Sequence, residues 1–434
     1  MPRFRLPLLL IAILAGLGVV LPAAFYGVAR LAWFERQASS QLSEVLGWPV
    51  QLGDLSIGYF PLPWIEVDRL VIAGNESGDA PSLAEITHLR AELPWRTVLG
   101  RGGHITSLTL DAPRIALEFG ADGRGNWEPF VERLVELAGD GPAAWSIGAL
   151  EVEQGSLAYG HAGEAPAFTL TGLGLTADNL RPASAFPMDL RVAGQVGPRT
   201  FHATANGRAM LDPDADRYAA DELVLAGWIG GDDLPLAGVN WAGEVESLRA
   251  DLAAGTVLVR GASLEALGAQ ADVEVEIADL NGTPAVTVDF KTNEFSPRAV
   301  GLGLNRPLPE TTDPKALSRL QIAARVRSDQ PGLAVEPLQG QLDDTHFTGA
   351  LTLPADGQVP DVRLSLDTID LDRYLPPDDP AAPTTPQSAA QELLGGLEAI
   401  DLQAGITVGE ARIAGATARG MKITLTPTGE EETP

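Results

Sequence analysis

Three acidic clusters have the residue types and spacing that could do chemistry. Asp212-x-Asp214-x-Asp216 has the alternating carboxylates that open a calcium loop. Arg217 stands where such a loop turns on glycine and Leu223 where it places a bidentate glutamate, and Pro213 interrupts it, so no calcium site is expected. Asp370-x-Asp372 could grip a cation between two carboxylates. Read as part of an alternating strand, both fall on the wet face, with Arg373 or Tyr374 as a structural contact. Asp343, Asp344 and His346 bring two carboxyls and an imidazole together, an acid–base set with no nucleophile signature beside it.

The wider inventory points away from catalysis. The chain has no cysteine, which excludes disulfides, thiolate metal sites and cysteine nucleophiles. Its histidines (His88, His104, His161, His202, His346) form no local pair. There is no G-x-S-x-G, P-loop or H-E-x-x-H. Gly172-Leu-Gly174 and Gly301-Leu-Gly303 lack the third glycine of a dinucleotide turn. The expectation is a protein that is not an enzyme, with no catalytic residue, metal or cofactor. Over 434 residues, 58 acids against 30 bases leave a net charge of −28. That field repels phosphates and argues against a nucleic-acid partner.

The elements that position these residues begin with an apolar run. Leu6 to Ala29 carries no charge, and as a helix it would be ~36 Å long, enough to cross a hydrocarbon core of ~30 Å. Arg3 and Arg5 precede it without an acid, which sets the N-terminus in the cytoplasm and exports the rest. Tyr26, Trp33 and Phe34 suit an aromatic belt at the far end. The alternative is a cleaved signal peptide. The length of the run and the want of a clean small-x-small site favour a retained single-pass anchor over residues 1–30.

Leu31 to Leu46 reads as an amphipathic helix, ended by Gly47 and Pro49. From there the period is two. Val273, Val275 and Ile277 alternate with Asp272, Glu274 and Glu276. Arg114–Phe119, Val286–Phe290, Val362–Asp372 and Lys422–Thr426 repeat the pattern. Such strands, split by short turns, belong to antiparallel sheets wetted on one face. Helices are expected only at Glu128–Ala138, Asp313–Arg319 and Gln387–Leu397. Pro376 to Ala390 reads as a proline-rich linker between a β domain over 31–375 and a terminal piece over 391–434, a short helix, strands and an acidic tail. Roughly twenty strands cannot be covered by these helices, so the sheet either closes as a sandwich or curls into a trough.

Several segments carry a resemblance. An anchor is followed by Leu46-Gly47-Trp48-Pro49-Val50. Ile105–Phe119 forms a strand, proline, strand pattern leading into Asp122-Gly123-Arg124-Gly125-Asn126-Trp127. Leu342–Gly349, Ile369–Pro376 and Asp313–Leu317 follow. Together these resemble the AsmA family of Gram-negative envelope proteins, over nearly the whole chain. The departure is the ending at Glu430–Pro434, which reads as a shortened member. On residue chemistry alone the Asp122–Trp127 segment is a tight turn with Trp127 as a lid on the sheet.

The resemblance implies a mainly β fold: an N-terminal transmembrane helix, then an elongated, curved, groove-like antiparallel sheet with a few short helices. It implies a bacterial inner-membrane protein facing the periplasm that serves outer-membrane assembly and binds or conducts phospholipid. The repeated aliphatic face would then be a lining, with Ile115, Leu117, Phe119, Val273, Val275, Ile277, Val286, Val288, Leu364 and Leu366 facing lipid. Asp122, Gly123, Trp127, Asp370, Asp372 and Tyr374 would be structural. The partners are the membrane, phospholipid and envelope-assembly proteins. A scaffold docking such proteins through sheet edges or the linker, without lipid transport, is the second hypothesis.

Overall fold

Alternating sequence becomes strand, Leu371 and Asp372 apart, where it is described in the computed structural model, which covers residues 43, 48–75, 82–99, 103–120, 123–130, 145–232, 234–235, 238–280, 282–329, 332–354, 359–377 and 403–425. The expected helices at Leu31–Leu46 (Ser43 apart) and Gln387–Leu397, the anchor Leu6–Ala29, the tail and most of the linker lie outside these residues. No helix among the described residues is long and apolar enough to cross a membrane. The chain divides into two units, residues 1–232 and 233–434. That division falls within residues 31–375, and the strands beyond the linker belong to the second unit.

In the first unit, β1 (Val50–Gly58), β2 (Trp64–Ile72) and β3 (Ala84–Glu92) form an antiparallel meander. β4 (Gly103–Asp111) and β5 (Arg114–Phe119) both lie between β3 and β6 (Trp145–His161). Ala112, at φ 46°, and Pro113 kink the chain between them without reversing it. Both therefore run parallel to β6. β7 (Phe168–Leu180), β8 (Ala185–Val196), β9 (Arg199–Asp212) and β10 (Arg217–Gly230) continue as antiparallel hairpins. Alternate side chains of β1 to β6 make a closed core in which Leu83, Leu89, Leu93 and Phe130 are fully buried.

The second unit holds β11 (Val239–Asp251), β12 (Thr256–Ala266), β13 (Ala269–Ala278), β14 (Ala285–Thr292), β15 (Leu320–Asp329), β16 (Gly332–Leu342), β17 (Thr345–Pro354), β18 (Asp361–Asp370), β19 (Gln403–Ile413) and β20 (Ala416–Leu425). Each pairs with the next. All pairs are antiparallel except β18 with β19, which is parallel. The long segment 371–402 supplies the crossover that a parallel pair needs.

The sheets are thus mixed, which corrects the purely antiparallel expectation. Parallel pairs occur at β4–β6, β5–β6 and β18–β19, each reached by a kink or a long connection that a two-residue period cannot reveal. Two helices correct the helix assignments. α1 (Trp95–Val98) is one short turn. α2 (Pro297–Gly303) is capped by Ser296, whose Oγ accepts from Ala299 N–H at 3.2 Å. Of Glu128–Ala138 only the opening turn, Glu128–Phe130, is described, and it is helical.

Candidate functional site

The segments carrying the second half of the resemblance meet in one polar knot at the second unit. Asp343 sits in the two-residue turn between β16 and β17 at φ 51°, a backbone that aspartate tolerates. It is 1% exposed. Its carboxylate accepts from the backbone N–H groups of Leu317, Ser318 and Arg319 at 2.8, 3.0 and 3.1 Å, and from the Tyr374 hydroxyl at 2.9 Å. Those donors explain why Asp313–Arg319 is a turn and not the expected helix. Leu317 takes φ 59°, and three N–H groups are turned onto a side chain instead of up a helix. Burial pushes the Asp343 carboxyl up, but the bonds from Leu317, Tyr374, Ser318 and Arg319 outweigh it and hold the group below the usual carboxylate range.

Arg373 bridges the knot's rim, donating to Asp313 and to Asp344 at 2.7 Å each. Arg319 reaches the other oxygen of Asp344 at 2.7 Å. The Arg373 hydrogen bond, then that of Arg319, hold Asp344 below its ordinary value against the opposing cost of burial. Asp372 does not continue the strand alternation, because β18 ends at Asp370 and Leu371–Arg373 forms a 3-10 turn. Its carboxylate instead accepts from Ala414 N–H at 2.6 Å and Gly415 N–H at 2.9 Å, closing the β19–β20 turn. Arg412 lies 3.7 Å from both Asp370 and Asp372. His346 Nδ1 lies 3.0 Å from Asp367 Oδ2. Of the acid–base set of the sequence, Asp343 and Asp344 thus join one hydrogen-bond network, with both oxygens of Asp343 committed to donors, while His346 pairs separately with Asp367.

The second feature is the aliphatic face of β12–β20. One row runs Val259, Val275, Val288, Val326, Val335, Leu351, Val362, Ala404, Leu425 from strand to strand. The next runs Ala262, Val273, Phe290, Ala324, Leu338, Gly349, Leu364, Ile406, Ile423. Register shifts in β12 and β16 each insert one residue, which keeps both rows on one face. Val273, Val275, Ile277, Val286, Val288, Leu364 and Leu366 are all half-buried. The opposite face carries charge ladders such as Glu274, Asp289 and Arg325. Arg325 grips Asp289 by two hydrogen bonds of 2.6 and 3.1 Å. Two open depressions are bordered by such polar residues. One, of about 380 Å³, includes Asp272, Asp289 and Arg325, and the other, of about 590 Å³, includes Thr348, Ser365 and Lys422.

The remaining candidates fall in the first unit. Leu117 is 1% exposed inside the core, and Ile115 and Phe119 pack against it. Of the three, Leu117 lies inside the core, and Ile115 and Phe119 are half-buried against it. The Asp122–Trp127 segment folds as a tight turn, with Asp122 itself outside the described residues. Gly123 takes φ 76°, and Trp127 is buried edge-on against Phe119 with ring centroids 5.0 Å apart. A Cβ on Gly125 would lie 2.6 Å from the Trp127 ring, so glycine there lets the indole close. Asn126 locks the turn onto β5 through Ala116 O and Glu118 N–H at 3.0 and 3.1 Å.

A third cluster escaped sequence reasoning because its members are remote in the chain. Glu66, Asp68 and His88 face one another across β2 and β3 in metal-ligand types. His88 Nδ1 lies 2.8 Å from Asp68, however, and its Nε2 faces Glu66, which Arg90 already holds at 3.1 Å. With these pairings the cluster reads as a cross-strand ion-pair ladder. Missed too was α2, although Ser296-Pro297 is a legible start signal. No family model, curated protein or solved structure matches this chain.

Proposed function

We propose that this chain is a non-enzymatic, membrane-anchored protein of the bacterial envelope whose second unit holds phospholipid acyl chains along the aliphatic face of β12–β20, as in a trough. The supporting observation is the contrast between β1–β6 and β12–β20. Apolar rows of β1–β6 close on a core, whereas the rows through Val275 and Val273, apart from buried Ala324, Ala404 and Leu425, are half-buried on a face crossing nine successive strands. A large apolar surface in that state calls for an apolar partner. Hydrocarbon laid on it would gain ~25 cal/mol per Å² removed from water. The anchor expected at Leu6–Ala29, the export of the remainder and the AsmA-like segments agree with an inner-membrane protein acting from the periplasm in outer-membrane assembly. The reading needs no chemical step, so direction along the trough would come from a partner or a gradient.

The test is lipid carriage. Full-length protein is purified, and its lipid content is measured by mass spectrometry for wild type and for Val275→Asp. The expected result is co-purified phospholipid that falls in the variant while circular dichroism is retained. Wild-type protein that carries no lipid would overturn the reading.

A further inference from the structure

One end of the first unit's sheet presents apolar side chains to solvent. β1 leaves at Gly58, opposite Trp64 of β2, and the turn between them is Tyr59-Phe60-Pro61-Leu62-Pro63. β3 leaves beside it at Glu92, opposite the same Trp64, and continues through Leu93 and Pro94 into α1. Leu93 N–H donates to Pro63 O at 2.7 Å, so the two segments emerge side by side. On them Phe60 is 89% exposed, Leu99 61%, Trp95 47% and Tyr59 46%. Among the described residues, every exposed Phe, Trp or Tyr is at this tip.

The tip is built, not frayed. The Trp64 indole lies against Gly58, where a Cβ would sit 2.1 Å from the ring, and the Arg90 guanidinium stands 4.9 Å over it. Thr97 Oγ1 donates to His104 O at 2.9 Å and Leu99 N–H to Trp95 O at 3.1 Å. Anchored backbone therefore holds the side chains outward. Residues 58–64 and 93–101 contain no acid and two arginines, Arg96 and Arg101, in a sequence with 58 acids.

We propose that this tip is a membrane contact that seats in the interfacial layer of a phospholipid bilayer. Trp and Tyr favour the headgroup level, where an apolar ring and a polar edge are both satisfied. Phe60 and Leu99 reach the acyl boundary, and Arg96 meets phosphodiesters that the acidic remainder of the chain would repel. The contact does not rest on lipid carriage, because it belongs to the first unit and the aliphatic face to the second.

The absence of native cysteine makes the test direct. Full-length protein carrying Phe60→Cys, Leu99→Cys or, at the far end of β1, Gln51→Cys is labelled with a polarity-sensitive fluorophore. It is then reconstituted in vesicles of phosphatidylethanolamine and phosphatidylglycerol. Labels at Phe60 and Leu99 should emit to the blue and be quenched severalfold by spin-labelled lipid, while the Gln51 label stays red and unquenched. Trp95→Asp should return the Leu99 label to the wet spectrum with circular dichroism unchanged. A Phe60 label as wet as the Gln51 label would overturn the proposal. So would a blue shift without quenching by lipid, which would mark a protein partner or a second copy, and so would loss of quenching only where the fold is lost. Lipid content in the mass spectrometer is unaffected by either outcome, so failure here is distinct from failure of lipid carriage.

Discussion

The Tyr374 hydroxyl donates a 2.9 Å hydrogen bond to Asp343, which lies thirty-one positions earlier in the chain. The bond ties the turn after β18 to the turn before β17, and the same carboxylate holds Leu317, Ser318 and Arg319. One buried anion thereby fastens three segments at one end of the second unit.

Removing its phenol donor should be felt. A hydrogen bond to a charged group contributes about 1.5–3 kcal/mol, so Tyr374→Phe should lower stability by about that amount. Asp343→Ala strands three N–H groups and should cost more, with Asp343→Asn between them. Urea titrations of the three variants give the order. An unchanged midpoint for Tyr374→Phe would mean that the knot does not hold this end of the unit.

Acid should loosen the same knot. The folded Asp343 titrates below its unfolded value. Its contribution is therefore complete above roughly pH 5 and is lost as pH falls through the folded value. Asp344, held low by Arg373, acts in the same direction. Stability measured from pH 6 downward should decline, and Asp343→Asn should flatten that decline. An identical slope in the variant would contradict the assignment.

The two units should answer core truncation differently. Leu117 is sealed, so Leu117→Ala should cost about 2–5 kcal/mol. Val275 is half-buried, so Val275→Ala should cost about 1 kcal/mol. Hydrogen exchange resolved by segment would locate each loss. Equal costs at the two positions would mean that the aliphatic face is as closed as the first unit's core.

The turn at Trp127 should be intolerant on both sides of its contact. Trp127→Ala empties a buried site and should destabilise the first unit by about 3–5 kcal/mol. Gly125→Ala should displace the indole that now lies where the new methyl would go. Near-ultraviolet circular dichroism reports the ring's environment, and an unaltered spectrum in Gly125→Ala would refute the packing.

Much of the candidate site was legible as fragments. The segments around Asp313, Asp343 and Asp372 stand out in the linear chain, and so do the alternating valines of β13. Their assembly does not. Asp372 reads as a wet-face residue because β18 looks longer than it is, and the helix expected at Asp313–Arg319 fails because Asp343 competes for its N–H groups. Leu117 and Val275 have the same local pattern, apolar residues at every second place. Whether such a stripe is sealed depends on the elements packed upon it.

What the chain's own order of residues determined is the β character, the strand period, the turn at Gly123–Trp127 and the acidic face, since each rests on neighbours within a few positions. Only tertiary structure decided the parallel pairs at β4–β6, β5–β6 and β18–β19, the division after Asp232, the closed fate of Leu117 and the exposed tip at Phe60 and Trp95. Those depend on which strand a kink or a long connection delivers to a given edge. That is a matter of distant contacts, to which local periodicity is blind.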